Sequence, residues 1–79
     1  MGVNKPTLSG IKAIRQAISM TQPEFGRAIG VTQGSVSFYE RGVNFPRPHI
    51  AKRIVVLARK HGHNITMDAV YAQSGGVNQ

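Results

Sequence analysis

An all-α fold, a compact bundle of about five short helices, is what this sequence predicts, and three observations predict it. Apolar residues recur at helical spacing, in Leu8, Ile11, Ile14 and Ile18 and again in Ile50, Ile54 and Leu57. Capping residues, glycines and prolines stand between these stretches where helices begin and end. No strand-like alternation of apolar and polar residues occurs. With 79 residues, the chain makes one small domain that buries only about 60% of its unfolded surface. A homodimer is therefore expected.

Residues 1–6 lack periodicity and read as a mobile arm, in which Lys5 is either a phosphate contact or part of a frayed terminus. The first helix is expected from about Thr7 or Ser9 to about Ser19, with Lys12 and Gln16 facing water. Thr21 and Glu24 form a capping box for the second, with Pro23 in its first turn, where no backbone donor is lost. Phe25, Ala28 and Ile29 give it an apolar face, and Gly30 ends it in a left-handed turn. Thr32 caps a third helix over 33–41, stopped by Gly42. At about 100° per residue, Val36, Tyr39 and Glu40 share its inner face. Gly34, Ser37, Phe38 and Arg41 share the outer one, with Gln33 at its edge. A loop with two prolines, Pro46 and Pro48, leads to a helix over 49–61, ended by Gly62. Thr66 caps a last short helix over 67–72, and residues 73–79 read as a disordered tail.

Ten Lys/Arg against three acids leave a net charge of +7, which favours a polyanionic partner, nucleic acid above all. The basic residues are scattered, with no long basic amphipathic helix to suit a membrane surface. The absence of cysteine excludes disulfides and thiolate metal sites. No apolar run is long enough to span a bilayer and no signal peptide is present, so a cytoplasmic protein is expected. His61 and His63, with Asp68 as the nearest carboxylate, match no closed zinc set. Ser35 and Ser37 have no histidine at a predictable distance, and no glycine-rich phosphate loop follows a strand. No enzyme, metal, cofactor or small-molecule ligand is expected.

A helix, a tight turn and a second helix with a polar outer face can enter a DNA major groove. The stretch 21–42, TQPEFGRAIGVTQGSVSFYERG, also resembles the helix-turn-helix of the Cro/CI-type (XRE-like) repressors. Counted from Gln22, apolar residues fall at the fourth, eighth, tenth, fifteenth and eighteenth positions (Phe25, Ile29, Val31, Val36, Tyr39). Gly26 is small where helices pack in that family, and Gly30 is its turn glycine. The resemblance covers about Leu8 to Leu57. It implies a lambda-repressor-like DNA-binding domain over 7–72.

Roles then follow from the resemblance, residue by residue. Gln33 matches the family glutamine that reads adenine, and a carboxamide can indeed pair with both major-groove groups of that base. Gly34 departs from the family, which usually carries a contacting side chain there. Ser37 and Phe38 fall at further base-contact positions, and Phe38 suits a thymine methyl. Its competing role is packing on Phe45. Gln22 is implied to hold a phosphate and brace the recognition helix. Ser35 and Arg41 suit phosphates, and Asn44 and Arg47 stand where the family clamps the backbone. Arg27 and Lys52 are further cations for phosphate. Arg15 stands where the family pairs an arginine with a glutamate at the recognition helix's end, here Glu40. Val55, Val56, Met67, Val70 and Tyr71 are left without an obvious place in the core. They are the candidate dimer contact, the alternative being packing of the last helix within one chain.

The reading is a sequence-specific double-stranded-DNA-binding regulator, most like a short phage Cro repressor, dimeric on a near-palindromic operator. The alternatives are an antitoxin that represses its own toxin–antitoxin operon, or a protein-interaction adaptor that uses this fold without DNA.

Overall fold

Helix α1 spans Ile11–Ala17, α2 Gln22–Ile29, α3 Gln33–Glu40, α4 Pro48–Lys60 and α5 Met67–Tyr71. This computed structural model describes residues 8–72, and no strand occurs among them. The expected arm with Lys5 and the expected tail over 73–79 lie outside the described residues.

The first helix is shorter than its apolar stripe predicts. Gly10 takes φ 91 and ψ 150, a conformation open to glycine and closed to a helix. Its backbone N–H donates to the Ala69 carbonyl at 2.8 Å. Helix α1 therefore starts at Ile11, not at Thr7 or Ser9, and Leu8 reaches the core from outside the helix. At the other end Ser19 takes φ 59, which stops α1 at Ala17, ahead of the expected Ser19.

Ile14, Phe25, Ile29, Val36 and Ile54 have no exposed surface at all, so side chains from α1 to α4 meet in one core. Removing any one of these to alanine costs about 2–5 kcal/mol in sites of this kind. Ile65, just before α5, and Val70 within it close the core from the far side. Val70 is 2% exposed within a single chain, so it is core and not part of a free dimer surface. Leu57 and Val55 are half-buried at the edge.

Helix α2 corrects a second expectation. Ala28 is exposed, and Gly26 is buried in its stead. The reason is the proximity of the turn to α3: a Cβ at position 26 would lie 2.8 Å from the Val31 carbonyl oxygen. Gly26 thus lets the two helices close on one another, while Ala28 rotates to the outside. Among the described residues, no helix is long and apolar enough to cross a membrane.

Candidate nucleic-acid interface

The turn between α2 and α3 is built from local hydrogen bonds. The Glu24 N–H donates to Thr21 Oγ1 at 3.2 Å, and the Thr21 N–H donates to Glu24 Oε1 at 2.9 Å. This is the predicted capping box. The backbone bond from Thr21, then its hydroxyl, hold the Glu24 carboxyl below the usual glutamate range. Gly30 caps α2 with φ 83, and the Val31 N–H returns to the Gly26 carbonyl at 2.8 Å. Thr32 then caps α3, its Oγ1 accepting from the Ser35 N–H at 3.0 Å and donating to Ser35 Oγ at 3.2 Å. Arg53 adds a brace that the sequence does not signal. Its Nη1 donates to the Ile29 carbonyl at 3.1 Å and neutralises the C-terminal end of α2 from α4.

From the turn, a chain of side chains runs inward. Gln33 is exposed at the N-terminus of α3, and its Nε2 donates to Gln22 Oε1 at 3.4 Å. Gln22 Nε2 donates in turn to Glu40 Oε1 at 3.0 Å. Arg15 takes both oxygens of the same carboxylate, Nε to Oε2 at 2.5 Å and Nη2 to Oε1 at 3.1 Å. Its third nitrogen donates to the Met20 carbonyl at 2.9 Å. The two side chains are 13% and 5% exposed, so this fork-on-carboxylate pair is largely screened from water. The hydrogen bond to Glu40 raises the Arg15 pKa above the ordinary arginine value, against the opposing effect of burial.

The outer surface of α3 presents Gln33, Gly34, Phe38 and Arg41 to solvent, with Ser35 and Ser37 half-exposed beside them. A side chain at 34 would meet only Thr32 Oγ1, at 3.7 Å, so the glycine there answers no packing need. Phe38 is 42% exposed, and the Arg41 guanidinium carbon stands 5.2 Å from its ring centre, within cation–π range. Arg27, Lys52, Asn44 and Arg47 are exposed. Asn44 and Arg47 line an open depression of about 620 Å³ together with Tyr39, Phe45, Pro46 and His49. Burial pushes the Tyr39 phenol up, Arg47 pulls it down, and Tyr71 adds to the rise. At the back of the loop Tyr71 Oη donates to the Pro46 carbonyl at 2.7 Å, a contact no local pattern announces.

This geometry, two capped helices joined by a glycine turn with an arginine of α1 paired to the last glutamate of α3, agrees with the family scan, in which the Helix-turn-helix model (HTH_3) matches residues 11–57. The chain belongs to the XRE-type helix-turn-helix family. As a helix-turn-helix protein it is a DNA-binding regulator, with double-stranded DNA as its partner. No curated protein and no solved structure matches the chain. The family match ends at Leu57, so the last turn of α4 and the whole of α5 stand beyond it.

Val56 is 51% exposed, whereas Val55, Met67 and Tyr71 pack against the core and Val70 lies inside it. No cluster of three or more metal-ligating side chains occurs among the described residues.

Proposed function

We propose that this helix-turn-helix protein is a sequence-specific transcriptional repressor of the short, phage Cro-like type, which occludes a promoter by binding a near-palindromic operator as a dimer. The observation that supports this best is the hydrogen-bonded chain from Arg15 through Glu40 and Gln22 to Gln33. A side chain that reads a base must be held before the base arrives, or its ordering cost cancels the contact. Gln33 is held from behind by a weak 3.4 Å bond, one it can keep or exchange while its carboxamide pairs with the N7 and N6 groups of adenine.

In this reading α3 lies in the major groove with Gln33, Gly34, Ser37 and Phe38 toward base edges. Gln22, Arg27, Ser35, Arg41, Asn44 and Arg47 hold phosphates on either side. Arg41, already stacked on Phe38, carries its charge over the same ring that meets the thymine methyl. The dimer forms on DNA, with half-sites about one helical turn apart, and Val55, Val56, Met67 and Tyr71 are its apolar candidates. The place of action is the cytoplasm of a bacterium or a phage-infected cell.

Selection of bound duplexes from a random pool tests the reading. The expected product is an inverted repeat with an invariant A·T pair at one position of each half-site. Its affinity should fall with salt at a log–log slope of about −0.9 per phosphate contact. A pool that yields no common sequence, or an affinity flat in salt, overturns it.

A further inference from the structure

We propose that Tyr71 is a positioning residue for the loop after α3, so that α5 sets the general DNA affinity of the domain without touching DNA. This rests on the reading above, in which Asn44 and Arg47 of that loop meet phosphates.

Main-chain bonds anchor the loop at its start and at its end but not between. The Val43 N–H donates to the Phe38 carbonyl at 2.9 Å, and the Arg47 carbonyl accepts from Ile50 and Ala51 as α4 begins. Pro46 has no backbone donor. From Phe45 to Pro46, the hydrogen bond from Tyr71 Oη to the Pro46 carbonyl, 2.7 Å, is the one present among the described residues. Val43 and Phe45 are more than half exposed, so side-chain burial does little to fix the loop at those two points. Tyr71, in contrast, projects from a helix that is itself fastened. Val70 beside it is buried, and the Ala69 carbonyl holds the Gly10 N–H. Pro46 itself is buried, so the hydroxyl is presented from a fixed point to the one inward-packed residue of an otherwise exposed segment.

The same phenol stands next to the recognition helix. Tyr39 of α3 feels both Arg47 and Tyr71 electrostatically, which places the loop cation, the α5 tyrosine and α3 around one junction. Asn44 and Arg47 flank Pro46 by two residues and one. A shift of that carbonyl moves both, whereas Gln33 at the opposite end of α3 is held by its own network.

The experiment is a double-mutant cycle on the full 79-residue chain, with Tyr71→Phe, Arg47→Ala and the pair. Affinity is measured for the selected operator and for a random duplex, alongside the melting temperature. Tyr71→Phe keeps the ring and its packing, so melting should stay near wild type. Affinity for both duplexes should fall by the same factor, about three- to tenfold, the range into which one hydrogen bond of ordinary net strength converts. In the Arg47→Ala background the same change should cost clearly less than in wild type, because one of the two contacts it positions is gone. An undiminished loss in that background, no loss in the wild-type background, or a loss confined to the operator would each overturn the role. If Arg47→Ala alone leaves affinity unchanged, the phosphate clamp itself is wrong and the inference falls with it. If Arg47→Ala weakens binding and Tyr71→Phe does not, the clamp stands and Tyr71 has no part in it.

Discussion

The two ends of α3 are held by different means. At its N-terminus, Gln33 is reached by a side-chain network that begins at the largely screened ion pair of Glu40, the last residue of the helix, and crosses three helices. Past Glu40, the backbone turns at Gly42 into a loop steadied by main-chain bonds to Phe38 and by one distant tyrosine. The first arrangement fixes the direction of a side chain and the second fixes the position of a backbone. Those are the separate needs of reading a base and gripping a phosphate. Three changes to the first arrangement sharpen this contrast, and any of them can break it.

The largest effect belongs to Arg15. Arg15→Met leaves Glu40 charged and mostly buried, with Gln22 as its remaining partner. Such a change costs roughly 3 kcal/mol, or a fall in melting temperature on the order of 10–20 °C for a domain of this size. Apolar residues at both 15 and 40 should recover much of it. An unchanged melting temperature in the single variant would mean that the pair does not hold α3 at all.

Next comes Gln33→Ala. It should cost about 1–3 kcal/mol on the selected operator, relax the preference at one position per half-site, and leave random duplexes almost unaffected. A uniform loss on both would make Gln33 a phosphate ligand and erase the distinction between the two ends.

The smallest effect is one of pH. Glu24 is held below its ordinary value by Thr21, so its folded pKa lies below the unfolded 4.5. The stability it adds is present above pH 4.5 and is lost as pH falls through the folded value. Thermal melts between pH 6 and pH 3 should show this small acid-labile increment, and Glu24→Gln should remove it. Identical pH profiles for the two proteins would detach the capping box from the stability of the α2 N-terminus that carries Gln22.

The first end of α3 was also the more legible in sequence, for a physical reason. Thr21 with Glu24, Gly30, and Thr32 before Gln33 act over three or four residues, and their spacing alone implies their bonds. Gly26 and the Arg15–Glu40 pair are nonlocal, and they were recovered because the helix-turn-helix pattern fixes their positions. Where that pattern ends, periodicity misled. Val70 looked unburied because nothing in residues 67–72 reveals that α5 folds back onto α1. The same contact withdraws Gly10 from the first helix and shortens it. Ala28 was assigned to the apolar face because spacing alone cannot show that the neighbouring helix lies on the Gly26 side. Tyr71 and Arg53 each bond to a backbone carbonyl more than twenty residues away, and a carbonyl has no signature in a sequence.

Glu24 and Glu40 both have partners within the domain, the exposed Glu24 in a cap and Glu40 in its pair with Arg15. Of the three acids only Asp68 is left outside such an arrangement, against ten cationic side chains. Two copies in free solution therefore meet as like-charged bodies, and added salt eases their approach. The same salt loosens each copy from the phosphates. Ionic strength then acts with opposite sign on pairing and on DNA binding. On the proposed reading, a duplex that neutralises two copies at once removes the conflict, and a pair would assemble most readily on DNA.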